Sequence, residues 1–150
     1  MDVEEALKPP PHPLCRIMRL RYHIWKNSTQ PTTKTAVERA EKDGLRVVYP
    51  EPKELQIDID SEKNLGVFYE HLAILRKWLM VEKVVMTPSL SGKEGHYHIT
   101  VSCGRYFNAP ERICLQALLG SDLKREVLGF IMMKNGELKP TLFLEKTCGG

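Results

Sequence analysis

The stretch ELQIDIDSEKNLGVFYEHLAILRKWL, residues 54–79, decides the fold, because its hydrophobic period changes within a few residues. Over residues 54–60, apolar and polar side chains alternate, which is typical of a half-buried strand. From Leu65 to Leu79, large apolar residues recur at helical spacing and predict one amphipathic helix. Ser61 stands between the two patterns and is a suitable N-cap. The stretch therefore predicts a strand followed directly by a helix.

The segments after this helix continue in the same way. Two strand patterns, residues 81–88 and 95–103, flank a glycine-containing hairpin loop. A helix begins near Pro110, which fits a first helical turn, and residues 120–122 (GSD) separate it from a second helical segment. The last strand is predicted at residues 140–146.

From residue 54 to about residue 146, the predicted order is strand, helix, strand, strand, helix, strand. This order is typical of the RRM-like or ferredoxin-like α+β fold. Right-handed crossovers place the first and third strands in the middle of the sheet, with the last strand beside the first. The helices cover one face, so we expect the other face to be free for ligands or for the N-terminal segment.

The N-terminal third predicts a smaller β-α-β module ahead of this core. A strand is expected at residues 15–25, a helix at residues 35–43 that ends at Gly44, and a second strand at residues 45–50. Residues 1–14 are rich in proline and predict a flexible tail. We therefore expect a single α+β domain over residues 15–150.

Composition excludes several classes of protein. The chain has 150 residues, of which 42% are hydrophobic and 27% charged, which is ordinary for one folded domain. Its 4 cysteines lack the C-x-x-C spacing of zinc sites. No apolar run approaches the ~20 residues of a membrane span, and the N-terminus does not resemble a signal peptide. We expect a cytoplasmic protein (in the host cell, if viral) with no membrane partner.

The net charge of +3 arises in the first 50 residues, where no acidic residue lies between Lys8 and Lys34. A local group of cations in this region could follow a phosphate backbone. Its members are Arg16, Arg19, Arg21 and Lys26. A solvated strand face explains the same group equally well.

Acids and histidines are predicted to meet on one face of the core sheet. Asp58 and Asp60 share the polar face of the first strand, and His96 and His98 share one face of the third. Glu145 lies in the last strand, expected on the other side of the first. Carboxylate oxygens suit Mg²⁺ or Mn²⁺, and paired acids that hold metal ions are typical of nucleotidyl transfer. Taken singly, each pair also fits a solvent-facing strand edge.

Three short motifs resemble those of the archaeo-eukaryotic primase and primase-polymerase superfamily. They are IDID (57–60), SGKEGHYHI (91–99) and the late acid Glu145. The resemblance, of the short virus or plasmid type, implies that Asp58, Asp60 and Glu145 bind catalytic Mg²⁺ or Mn²⁺. It also implies an RRM-like catalytic core.

The same resemblance assigns the hairpin to nucleotide binding. Ser91, Lys93 and one histidine would hold the phosphates of a nucleoside triphosphate; His98 fits the motif better than His96 because Tyr-His-Ile is hydrophobic-His-hydrophobic. Asp122 is an alternative third acid. The implied function is a nucleotidyltransferase that uses a DNA or RNA template in DNA replication, with a helicase or another replication protein as a potential partner.

Two other functions remain open at this stage. One is a non-catalytic RRM-like module that binds nucleic acid or a protein. The other follows from HYHI (96–99), which also resembles the His-hydrophobic-His motif of rolling-circle (HUH-type) replication nucleases. Those enzymes need a tyrosine nucleophile on a helix, and Tyr106 is the only tyrosine after the histidines.

Overall fold

The structure is a computed structural model that describes residues 33–146, within a unit that spans Thr32–Gly150. The tail predicted at residues 1–14 and the strand at residues 15–25 lie outside the described residues, as do the four candidate nucleic-acid-binding residues Arg16, Arg19, Arg21 and Lys26. The described elements, in chain order, are α1 (Thr33–Lys42), β1 (Leu45–Val48), β2 (Glu54–Ile59), α2 (Glu62–Leu79), β3 (Val81–Pro88), β4 (Tyr97–Cys103), α3 (Ala109–Leu118), α4 (Leu123–Lys134) and β5 (Phe143–Lys146).

The α+β class predicted from the sequence is confirmed, and local sequence rules account for the ends of the elements. The Ser61 side chain caps α2 by accepting a hydrogen bond from the Asn64 N–H. Asn108 and Glu111 form a capping box at the start of α3. Asp122 caps α4. The chain leaves α1 through Gly44, whose φ of 70° is the left-handed conformation that favours glycine.

The central sheet has three antiparallel strands in the order β2-β4-β3. Alternation along β2 places Leu55, Ile57 and Ile59 on one face, where they are completely buried. The same face of β4 adds Ile99 and Val101. This face packs on apolar side chains of α2 and α3, which complete the core: Phe68, Leu72, Leu79, Leu115 and Leu119.

The predicted place of the last strand is wrong. β5 does not flank β2 but pairs antiparallel with β1, in a separate sheet of two strands in which Arg46 faces Glu145. The physical reason is that the backbone groups along the outer edge of β2 already have hydrogen-bond partners, so a strand placed there would have nothing to pair with.

The partners on that outer edge come from α3, from α4 and from the turn between them. Each polar backbone atom of residues 56 and 58 on this side has a partner, and so does the carbonyl of residue 54. The bonds are Arg112 Nε to Glu54 O (2.9 Å), Gln56 N to Gln116 Oε1 (2.8 Å), Arg125 Nη1 to Gln56 O (2.6 Å), Asp58 N to Ser121 Oγ (3.0 Å) and Asp122 N to Asp58 O (2.7 Å). Helix side chains thus close an edge that a strand was expected to close.

Among the helices of the described residues, none combines the length and the apolar character needed to cross a lipid bilayer. The longest, α2, has 18 residues, but its outer side carries charged residues such as Glu70, Arg76 and Lys77.

Candidate functional site

Asp58 and His98 form the centre of the candidate site. They occupy directly opposed positions of β2 and β4, on the sheet face away from the core. His98 Nε2 lies 3.7 Å from Asp58 Oδ1. The His98 side chain is 15% exposed and the Asp58 side chain is 30% exposed, so the pair is largely buried but still accessible to solvent. The strand pairing predicted from the sequence therefore brings together two side chains 40 residues apart.

Burial and neighbouring charges shift the pKa values of both groups. Burial raises the pKa of Asp58, against the opposing pull of Arg125 and His98. Burial lowers the pKa of His98, while the Asp58 carboxylate opposes that shift. The carboxylates of Asp122 and Asp60 further raise the pKa of Asp58. The carboxylates of Asp60 and Asp122 therefore lie close enough to interact electrostatically with that of Asp58, which lies beside the His98 imidazole.

The face that carries this pair is not left free, contrary to the expectation from sequence. The Phe143 ring of β5 stacks on the His98 imidazole, with centroids 4.1 Å apart and planes 2° from parallel. The Arg125 guanidinium lies 4.8 Å from the centre of the Phe143 ring and donates from Nη2 to Leu142 O at 3.2 Å. β5 consequently covers the histidine side of the pair.

Asp60 and Asp122 approach the pair from two helix starts. Asp60 follows β2 directly, is exposed, and accepts a hydrogen bond from Asn64 Nδ2 at 3.0 Å. Asp122 accepts from the Lys124 N–H at 3.0 Å, while its own N–H is bonded to Asp58 O. Each of these two carboxylates therefore accepts a hydrogen bond from a neutral donor close to it in sequence.

A close backbone contact holds the α3–α4 turn against the start of α2. Gly120 has a φ of 85°, and a Cβ built there would lie 2.6 Å from Asn64 O. Only glycine fits both the conformation and the space. This contact with Asn64 holds Ser121 and Asp122 next to Asp58. The side chain of Asn64 also donates the hydrogen bond to Asp60.

Glu145, the third acid predicted from the sequence, lies on β5 and pairs with Arg46 at 2.8 Å. Because β5 is not adjacent to β2, the reason for expecting Glu145 beside Asp58 is removed. Its charge still raises the pKa of His98, though less than Asp58 does. Asp122, the alternative third acid, is the one that contacts Asp58.

The predicted phosphate-binding stretch, residues 91–95, lies in the hairpin loop at the Asp60 end of the sheet, and residues 91–94 are exposed. The Gly92 N–H bonds to Ser89 O at 3.1 Å, and Ser91 Oγ lies 2.8 Å from Ser89 Oγ and 3.4 Å from Lys93 N. Gly95 is buried and packs on Glu62 at the first turn of α2, where a Cβ would be 3.5 Å from Glu62 Cγ. The loop therefore lies against the helix start that follows Asp60.

His96 occupies the end of this loop rather than the sheet face. Its N–H bonds to Lys93 O at 3.2 Å and its carbonyl accepts from the Ser89 N–H at 3.1 Å. His98, in contrast, lies opposite Asp58. The preference for His98 as the functional histidine remains a prediction that this geometry favours.

Comparisons with protein-family models, with curated proteins and with solved structures gave no match. The primase resemblance implies a divalent metal ion bound by the carboxylates of this site.

Within the part of the chain that the structure describes, no group of three or more His, Cys, Asp or Glu side chains is arranged as a metal site. The donor chemistry nevertheless fits Mg²⁺ or Mn²⁺, since Mg²⁺ is usually held by one or two carboxylates together with substrate phosphates and waters. The mutual repulsion of Asp58, Asp60 and Asp122 is what a divalent cation relieves. Asp58 with Asp60 or Asp122 would be its protein ligands.

The geometry gives little support to the nuclease alternative. Tyr106 follows the C-terminal end of β4, whereas His98 lies near the opposite end, about 17 Å away along the strand. Its ring is 73% exposed and has the Lys53 ammonium 4.6 Å from its centre. A tyrosine nucleophile has to reach the histidine-bound phosphate, and this tyrosine lies far from both histidines.

Sequence reasoning missed the residues that support Asp58. Arg125 donates from Nη1 to the buried carboxylate of Glu126 at 2.7 Å, and Glu126 also accepts from Ser121 Oγ and Gln116 Nε2. Glu126 is only 4% exposed. Its place in a helical pattern of mixed charge gave no sign of burial; the GSD interruption before α4 was the available indication that this turn had a special role.

Proposed function

We propose that this chain is a primase-like nucleotidyltransferase core that binds a nucleoside triphosphate with Mg²⁺ or Mn²⁺ and acts on a DNA or RNA template. The observation that carries the proposal is the opposition of Asp58 and His98 across β2 and β4. The primase resemblance gives both residues a role in the site, and the SGKEG loop lies at the same end of the sheet as Asp60.

Each residue has a distinct role in this proposal. Asp58 and Asp60, with Asp122 as the third acid, bind the divalent ion, which when bound neutralises charge on the triphosphate. His98 donates a hydrogen bond to a phosphate oxygen from the ring that faces Asp58. Lys93 and the loop N–H groups bind the outer phosphates. Phosphoryl transfer depends mainly on such positioning and charge neutralisation, so a small domain is sufficient.

The first test measures binding rather than catalysis. Calorimetry of the full chain with a nucleoside triphosphate and Mn²⁺ is expected to show binding that requires the metal ion. Asp58→Asn together with Asp60→Asn is expected to weaken that binding by at least about tenfold, because both changes remove charge and keep side-chain shape. The Asn side chain at position 60 still offers an oxygen to Asn64.

Asp122 and Glu145 provide a matched pair of variants. Asp122→Asn keeps the N-cap of α4, since asparagine caps as well as aspartate, and is expected to weaken metal-dependent binding. Glu145→Gln is expected to leave the metal-dependent affinity within about twofold. The opposite result would indicate Glu145 as the third acid.

The unaltered chain tests the proposal as a whole. Nucleotide binding that is absent, or that does not depend on the metal ion, would contradict the proposal and favour a non-catalytic module.

A further inference from the structure

Aromatic and cationic side chains alternate at the end of the sheet opposite to the loop of residues 89–96. The Arg105 guanidinium lies 4.5 Å from the centre of the Trp78 ring and donates from Nε to Trp78 O. The next residue in the chain, Tyr106, has the Lys53 ammonium over its own ring at 4.6 Å. Arg105 and Tyr106 are consecutive in the chain, so the two pairs are neighbours; we call Trp78, Arg105, Tyr106 and Lys53 together the aromatic–cation patch.

Both aromatic residues of this patch are largely exposed. Trp78 is 50% exposed and Tyr106 is 73% exposed. Neither ring belongs to the hydrophobic core, so folding alone does not account for them. Arg76 and Lys77, the basic residues of the last turn of α2, add positive charge beside Trp78.

One acid near the patch, Glu54, is already engaged by other groups. The Glu54 carboxylate accepts from the Glu51 N–H at 2.8 Å and from Ser102 Oγ at 3.5 Å, and it faces Arg112. Glu82, on β3, is a further acid on this side, close to Cys103. The cations of the patch are instead placed on aromatic faces, where they remain accessible to a ligand anion.

We infer that the aromatic–cation patch binds single-stranded nucleic acid. Unpaired bases would stack on Trp78 and Tyr106, while Arg105 and Lys53 would pair with the phosphates between them. Rings alternating with cations fit a ligand in which flat bases alternate with negative charges. Lys53 lies five residues before Asp58 along the extended segment that includes β2, about 17 Å away. A nucleic-acid strand bound here would therefore be separate from the candidate site.

The test uses fluorescence anisotropy of the full chain with labelled single strands of thymidine and of uridine nucleotides, without metal ion. Trp78→Ala together with Tyr106→Ala is expected to weaken binding about 30-fold, and Trp78→Phe with Tyr106→Phe to restore most of it, since phenylalanine also stacks. Lys53→Gln and Arg105→Gln are each expected to reduce the salt dependence of log K by about 0.7. The two strands distinguish DNA from RNA.

Tyr69→Ala is the matched control, because Tyr69 is an equally exposed ring of α2 (57%) that contacts Phe68 instead of a cation. It is expected to leave affinity unchanged. Unaltered affinity of the double alanine variant, or equal affinity for a duplex of the same length, would overturn the inference. Asp58→Asn with Asp60→Asn is expected to retain strand binding, so this test and the nucleotide-binding test fail independently.

Discussion

The two edges of the central sheet are completed in different ways. The outer edge of β2 is closed by side chains and backbone groups of α3, α4 and the turn between them. In the part of the chain that the structure describes, β3 forms the other edge and has strand pairing only to β4. Six of its eight residues, including Val84 and Val85, are more than one-third exposed, and they lie on both faces of the strand.

This difference shows that closing a sheet edge with side chains also couples it to other elements. Each bond to β2 depends on where α3 and α4 lie, so the position of Asp58 depends on residues more than 60 positions later in the chain. The β3 edge carries no such dependence. Changes at the β2 edge should therefore affect stability and the candidate site together, whereas changes at the β3 edge should affect neither.

The largest expected difference in the free energy of unfolding is between two glutamate-to-alanine changes, one beside each edge. Glu126→Ala leaves the Arg125 guanidinium, whose side chain is 18% exposed, without its carboxylate partner. Breaking such a buried pair is expected to lower the free energy of unfolding by about 3 kcal/mol. Glu82→Ala, at an exposed position of β3, is expected to change it by less than about 0.5 kcal/mol. Urea unfolding compares the two, and equal losses would contradict the distinction between the edges.

A smaller effect is expected from two glycines that each follow a helix. Gly120 and Gly136 both have positive φ, 85° and 93°, but only Gly120 approaches another backbone. Gly136→Ala is expected to cost about 1 kcal/mol through its conformation alone. Gly120→Ala adds the clash with Asn64 O and is expected to cost about 2 kcal/mol in total. Thermal unfolding measures both, and similar losses would show that the turn can move away from α2.

The most subtle expected effect is on the titration of His98. Because burial disfavours the imidazolium, the pKa of His98 lies below its ordinary 6.5, and its contribution to stability is present above pH 6.5 and lost as the pH falls through the lowered pKa. Asp58→Asn removes the carboxylate that opposes this shift and is expected to lower the pKa further. Glu145→Gln is expected to lower it less. Proton NMR of the imidazole follows each titration.

A pKa of His98 that rises in Asp58→Asn would contradict the electrostatic description of the pair. Arg125→Met provides the reverse control, because the guanidinium disfavours the imidazolium, so its removal is expected to raise the pKa of His98. Opposite shifts from the two variants would locate both charges next to the imidazole.

Much of the architecture was accessible from local sequence patterns. Alternation over residues 54–60, the Ser61 cap and the GSD interruption each predicted an element that the structure contains. The pairing of β2 with β4 also followed, because the order of elements favours it, and it brought Asp58 opposite His98. The metal ligands and the nucleotide contacts remain predictions.

Other features could not be read from local patterns. Nothing in the spacing of α4 shows that Glu126 is buried or that Arg125 bonds to a strand carbonyl, since charged residues in an amphipathic helix are normally solvated. The aromatic–cation patch joins residues from the turn before β2, from α2 and from the segment after β4. Such groups form only when separate elements pack.

The sequence by itself determined the α+β order of elements, their caps and the face of the sheet on which Asp58 and His98 lie. These properties depend on periods of two or 3.6 residues and on the conformational preferences of single residues, which act locally. The tertiary structure alone decided that β5 pairs with β1, that helix side chains close the β2 edge and that Asp122 rather than Glu145 contacts Asp58. Those outcomes depend on how backbone hydrogen-bonding groups of distant elements pair with one another in the folded protein, and local sequence patterns do not specify that pairing.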